Sequence, residues 1–178
     1  MKKVLFFAAV LCLVATTAMA GDMTKRLGLG FVHWDAPVGG RYMFSEKVGL
    51  DVGLGLNVNG YDNGDGTTSN LTDWRVMVNV PINIHRVADR VNFNFLPGVE
   101  YYNNDNGDAG DADTYIDIMG ALEFEVFVTP DFSVSASHGI LISLYSPGDP
   151  NAENTTDISL FGNNVTEFGF HYYLPGGE

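Results

Sequence analysis

Apolar and polar residues alternate with period two along most of this chain, and that period predicts strands rather than helices. Over 48–59, Leu50, Val52, Leu54, Leu56 and Val58 share one face, while Gly49, Asp51, Gly53, Gly55, Asn57 and Asn59 share the other. Over 74–85, Trp74, Val76, Val78, Val80, Ile82 and Ile84 oppose Arg75, Met77, Asn79, Pro81, Asn83 and His85. Further on, Ile116, Ile118, Leu122, Phe124, Val126 and Val128 oppose Tyr115, Asp117, Glu123 and Glu125. The last segment sets Phe168, Phe170, Tyr172 and Leu174 against Glu167, Gly169, His171 and Tyr173. Reading outward from these segments predicts eight strands, at 24–34, 38–45, 48–58, 72–86, 91–102, 114–128, 132–145 and 160–174. Most of them exceed the ~9–11 residues that a tilted strand needs to cross a bilayer.

The connections alternate in length. Residues 45–47, 87–90 and 129–131 are short turns, whereas 59–71, 103–113 and 146–159 are long and rich in Gly, Asn and Asp. The first connection of the second set, near Asp35-Ala36-Pro37, is brief. Short and long connections thus fall at opposite ends of an up-and-down sheet, the asymmetry of outer-membrane barrels. The expected fold is all-β, an eight-stranded antiparallel up-and-down transmembrane β-barrel.

Alternation alone does not say which face points inward, since a lipocalin-like soluble barrel alternates too. The composition of the polar face bears on this. It carries Arg26, Arg41, Arg75, Asp51, Glu100, Asp117, Glu123, Glu125 and Glu167, with Gly28, Gly30, Gly49, Gly53, Gly55, Gly98 and Gly169 between them. Small residues and charges of both signs suit a narrow lumen, so these nine are the expected interior charge network. Aromatics gather near strand ends and read as two interfacial girdles. Trp34, Trp74, Tyr101, Tyr102, Tyr115 and Tyr145 form one, and Phe44, Phe93, Phe127, Phe132 and Tyr172 the other. Four residues fit poorly. Pro81 and Pro97 fall within strands and each removes a ladder donor, which predicts bulges or locally shifted pairing. His138 and Asn164 fall on the apolar side, and a bulge near Gly139 or Gly162 would turn them inward.

The first twenty residues follow a different pattern. A basic Met1-Lys2-Lys3, an apolar run over Val4 to Ala15 and an Ala18-Met19-Ala20 site before Gly21 have the layout of a cleavable secretory signal. The expected domains are a signal at 1–20 and one barrel domain at 21–178. Cleavage removes Cys12, the only cysteine, so the mature chain has no disulfide. It also removes Lys2 and Lys3 from nine Lys and Arg, leaving seven against 22 Asp and Glu, a net charge of −15. That balance argues against nucleic acid as a partner, because phosphate contacts need a basic surface.

The run Gly40-Arg41-Tyr42-Met43-Phe44-Ser45-Glu46-Lys47-Val48-Gly49-Leu50-Asp51-Val52-Gly53-Leu54-Gly55 resembles the second hairpin of small bacterial outer-membrane barrels of the OmpA/OmpX type. Glu167-Phe168-Gly169-Phe170-His171-Tyr172-Tyr173-Leu174 is similar to the C-terminal strand that the barrel-assembly machinery reads in that family. The family stops on a terminal aromatic, whereas Pro175-Gly176-Gly177-Glu178 follows here. The resemblance implies a Gram-negative outer membrane as the location. It also implies contact with membrane lipid and lipopolysaccharide, the assembly machinery as a partner during insertion, a monomer, and no added peptidoglycan-binding domain.

Candidate chemistry is sparse. The acidic stretches holding Asp62 and Asp65, and Asp105, Asp108, Asp111 and Asp113, resemble fragments of calcium loops, with oxygen ligands at alternate positions and Gly at the turn. Neither has a Glu at the twelfth position, and the same residues make ordinary solvated turns. No cofactor is expected beyond a weak calcium site. There is no G-x-S-x-G, no H-E-x-x-H and no Gly-rich phosphate loop. Ser135, Ser137 and His138 invite comparison with lipid A deacylases, but adjacent strand residues point to opposite faces. The expectation is a non-enzymatic protein that stabilises the envelope and presents acidic loops outward. A narrow cation-preferring pore and a soluble periplasmic barrel binding an apolar ligand stand as alternatives.

Overall fold

The computed structural model describes residues 23–62, 68–87, 90–105, 112–160 and 166–175. The predicted signal segment, Asp65, Asp108, Asp111, Gly162, Asn164 and the last three residues lie outside the described residues, as does the side chain of Asp62.

Ten strand segments are present among the described residues: β1 Leu27–Phe31, β2 Val38–Met43, β3 Gly49–Asp62, β4 Thr68–Asn79, β5 Ile82–Val87, β6 Val91–Asn104, β7 Asp113–Thr129, β8 Phe132–Ser146, β9 Thr155–Ser159 and β10 Thr166–Tyr173. Each pairs antiparallel with its neighbours, and β10 pairs with β1, so the sheet closes on itself. Segments β4 and β5 both pair with β6, and β9 and β10 both pair with β8. Each couple is one interrupted stave, and the result is an eight-stranded closed antiparallel barrel.

Closure depends on close backbone approach at the seam. Gly30 pairs with His171 on one side and Gly39 on the other, and a β-carbon on Gly30 would fall on the Phe170 carbonyl oxygen. At the turn end, Leu174 N donates to Leu27 O at 2.8 Å and Lys25 N to Met43 O at 2.7 Å, which ties the start of the first stave and the end of the last into the rim.

Several boundaries differ from the sequence reading. The β3–β4 hairpin remains paired out to Asp62↔Thr68, so much of the predicted long connection at 59–71 is ladder. Asn, Gly and Asp have weak strand preference, but an unbroken register with a partner overrides it. The last stave starts earlier than predicted, at Thr155, and is interrupted after Ser159. The first strand is shorter, five residues rather than eleven.

The prolines are accommodated without a bulge at either one. Pro97 lies within β6, opposite Gly120 of β7. Pro81 lies in the break between β4 and β5, where Val80 N donates to Pro97 O at 2.9 Å and Gly49 N to Pro81 O at 3.0 Å. Asn79↔Gly98 and Ile82↔Phe95 keep one register across that break, and the register shifts only between Asn83 and His85. No bulge turns His138 inward either. The ladder runs without a shift through Leu122↔His138 and Ala121↔Gly139, and His138 stays exposed on the outer face with Nδ1 2.7 Å from Thr166 Oγ1.

The distribution of polarity is inverted relative to a water-soluble barrel. Arg41, Asp51, Glu100, Asp117, Glu123, Glu125 and His171 are buried in the lumen. Leu54, Leu56, Val99, Ile118, Leu122, Ile140 and Phe168 are exposed on the outside. The aromatic girdles are thinner than predicted. Tyr102, Tyr115 and Tyr145 lie on the inward face in register with Arg75, and Phe127 is buried against Tyr173. The parity carries the reason: Tyr102 is two residues from Glu100, Tyr115 two from Asp117, and Phe127 two from Glu125, so each shares its neighbour's face.

Candidate functional site in the barrel lumen

Nine inward charges were expected to form one network, and the structure divides most of them between two clusters. The first centres on Arg41, which is 1% exposed. Its Nε and Nη2 donate to the two carboxylate oxygens of Asp51, both at 2.7 Å, across the β2–β3 register pair. Its Nη1 and Nη2 donate to Glu123 Oε1 and Oε2, both at 3.0 Å, from the opposite wall. Glu125 Oε2 lies 3.3 Å from Nη1. Such fork-shaped pairing satisfies a guanidinium fully, and a buried charge needs that to offset its lost hydration.

Neutral donors complete the cluster. Asn94 Nδ2 donates to Glu123 Oε1 at 2.7 Å, and Ser133 Oγ and Tyr173 Oη donate to Glu125 Oε1 at 2.7 and 3.0 Å. Sequence reasoning did not pick out Asn94, Ser133 or Tyr173. Their parity places them inside, but which carboxylate each one meets follows from register. Below this knot, Met23, Met43, Phe127 and Tyr173 form an apolar cap at the turn end. The cavity beside the knot that touches Arg41, Asp51, Glu123 and His171 has a volume of about 10 Å³, roughly the room for one water.

The second cluster lies toward the loop end. Arg75 Nη1 is 2.7 Å from Glu100 Oε1 and donates to Asp35 Oδ2 at 3.2 Å. The Arg75 guanidinium also lies 4.3 Å from the centre of the Tyr102 ring. His33 Nε2 is 2.6 Å from Glu167 Oε1 and 3.9 Å from Glu100 Oε2. Neither His33 nor Asp35 was expected here: His33 falls in the predicted first strand at the opposite parity from Arg26 and Gly30, but β1 ends at Phe31, and Asp35 falls in the brief connection. Between the clusters, Val32, Ala36 and Met77 pack with Met119.

Arg26 joins neither cluster, which corrects the expectation that it pairs with one of the six interior acids. Its side chain pairs with Asp131 in the β7–β8 turn and donates to Leu174 O and Tyr173 O at 3.0 Å each. It clips the last stave to the rim. Asp117 is the other exception: it is buried, yet no Lys or Arg pairs with it among the described residues, and its Oδ1 has no hydrogen-bond partner.

Of the calcium-loop residues within the description, Asp105 bonds to the β4 edge, its N accepted by Asp73 Oδ1 at 3.0 Å and its Oδ2 taking Thr72 N at 3.3 Å. Asp113 Oδ1 accepts from Gly148 N at 2.8 Å. Both act as loop-bracing acceptors. Among the described residues, no group of three or more His, Cys, Asp or Glu is arranged to hold a metal ion.

At the loop end the lumen widens into a vestibule of about 370 Å³ walled by Arg75, Tyr102, Tyr115, Asp117, Ser143 and Asp157. The rings of Tyr102 and Tyr115 stack at 5.4 Å, and those of Tyr115 and Tyr145 lie 4.7 Å apart.

Comparison with known proteins gives no matching family model, no matching curated sequence and no matching solved structure. The eight-stranded closed antiparallel barrel is compatible with an OmpX-like fold.

Proposed function

We propose that this protein is a non-enzymatic transmembrane barrel of the outer membrane of a Gram-negative-type bacterium, which stabilises the envelope and presents acidic loops to the exterior. One observation carries the reading: the barrel is apolar outside and charged inside. In water, the outer belt of Leu, Ile, Val and Phe would be left solvated while Arg41, Asp51 and Glu123 were desolvated, so both placements would oppose folding. In a bilayer both are favourable, because lipid covers the belt and the lumen pairs most of its own charges. The buried charges of the described lumen speak against the apolar cavity that the lipocalin-like alternative needs.

Charge along the barrel axis supports the orientation. Lys25, Arg26, Lys47, Arg86 and Arg90 all fall at the turn end. The loop-end connections at 32–37, 63–67, 105–112 and 147–154 contain no Lys or Arg. An acidic loop end is suited to divalent cations bridging to the phosphates of lipopolysaccharide, and a basic turn end to anionic phospholipid of the inner leaflet. The Arg41 knot and the apolar cap beneath it speak against conduction, so a plug is favoured over a pore.

The test is membrane fractionation of cells expressing the full chain, with boiled and unboiled samples compared on an SDS gel. The expected result is outer-membrane sedimentation with faster migration before boiling. Recovery in the soluble periplasmic fraction without a heat-dependent shift would overturn the reading. A planar-bilayer recording then separates plug from pore, with no discrete channel events expected.

A further inference from the structure

Asp117 stands apart from every other lumenal acid. Arg41 takes Asp51, Glu123 and Glu125, Arg75 takes Glu100, and His33 takes Glu167. Asp117 is 6% exposed and its Oδ1 has no partner, and it lines the vestibule rather than the sealed part of the lumen. A buried carboxylate in that position needs a cationic group or a proton to offset its lost hydration.

The surroundings narrow the chemistry. One register row runs across four segments, Glu100↔Asp117↔Ser143↔Asp157. Glu100 Oε2 has no hydrogen-bond partner either, so two carboxylates face each other on neighbouring strands with an unsatisfied oxygen apiece. Like charges directly opposite are unfavourable unless something positive lies between or beside them; Arg75 stands beside Glu100 and leaves Asp117 without a cation of its own among the described residues. Asp157 is exposed, two strands away from Asp117, which puts their backbones about 10 Å apart at ordinary strand spacing. Ser143 lies between them, Leu141 is adjacent in the wall, and the Tyr102 and Tyr115 rings form the next row.

The shape argues for an organic cation over a bare metal ion. The vestibule falls in the range of small-molecule sites, and Tyr102, Tyr115, Leu141 and Ile158 contribute ring and aliphatic carbon to an otherwise polar wall. It offers no set of three metal-ligating side chains among the described residues. From this geometry we infer that the vestibule binds a short aliphatic diamine, one ammonium on Asp117 and Ser143, the other on Asp157, the carbon chain against Leu141 and Tyr115. The inference rests on lumen geometry alone and is independent of which membrane surrounds the barrel.

The experiment is calorimetric titration of the detergent-folded full chain with putrescine, beside butylamine and butanediol. Heat-dependent gel migration is checked for every variant, so that loss of fold is told apart from loss of binding. Saturable putrescine binding is expected, with butylamine about tenfold weaker and butanediol silent, as the loss of one or both charge-assisted contacts requires. Asp117→Asn should weaken putrescine about tenfold or more, and Asp149→Asn, on a loop away from the vestibule, should leave it unchanged. If Asp117→Asn does not fold, Asp157→Asn carries the test and should bring putrescine down to the affinity of butylamine. Equal affinities for parent, Asp117→Asn and Asp157→Asn would overturn the inference. So would magnesium ion binding at the same site more tightly than putrescine.

Discussion

Arg41 and Asp51 face each other across β2 and β3 as a registered pair, with both carboxylate oxygens 2.7 Å from the guanidinium. Because both are buried, removing either leaves an uncompensated charge in the lumen. Arg41→Ala is expected to lower barrel stability by about 3–5 kcal/mol, read from urea unfolding in detergent or lipid. Arg41→Lys should recover only part of it, since a point-like ammonium cannot serve two carboxylates in fork geometry. Full stability in either variant would show that the knot is not a determinant of the fold.

Arg75 is a milder case. It is partly open to the vestibule, but it holds Glu100 at 2.7 Å and covers the Tyr102 ring. Arg75→Ala should cost about 1.5–3 kcal/mol, the range for a hydrogen bond to a charged group. Thermal stability, followed as the temperature at which the fast-migrating gel band disappears, should fall less than for Arg41→Ala. An unchanged transition would remove Arg75 from the network.

The outer belt tests the surrounding medium. Leu122 lies near the middle of β7 and is 61% exposed. In a bilayer, Leu122→Arg should destabilise by about 2–4 kcal/mol, as an arginine at the midplane of a lipid-facing strand does. In a water-exposed barrel the same change would be neutral or improve solubility. Unfolding measured in lipid vesicles separates these outcomes by sign.

The seam tests closure. Gly30→Ala places a β-carbon against the Phe170 carbonyl, where backbone and not a movable side chain stands in the way. The expected result is loss or marked weakening of the heat-modifiable band. Gly60→Ala, which meets nothing within 4 Å, should be silent. Similar behaviour of the two variants would show that β1 and β10 do not close as tightly as described.

Much of this protein was legible from period-two alternation alone. A strand has only two faces, so Arg41, Asp51, Arg75, Glu100, Asp117, Glu123, Glu125 and Glu167 could be assigned to one side from parity. Strand number and the separation of short turns from long loops followed from the spacing of those runs, and the structure gives eight staves. The same parity was overridden for Tyr102, Tyr115, Tyr145 and Phe127, where position near a strand end was read as a girdle, and there the simpler rule held. What parity cannot supply is a partner. That Arg26 meets Asp131 in a turn 105 residues away, that Arg41 takes Asp51 and Glu123 together, and that Asp117 is left with neither arginine are outcomes of register and closure. Alternation is local and fixes which side each residue faces. Shear and closure are global, and they alone bring charges from distant strands within hydrogen-bonding reach.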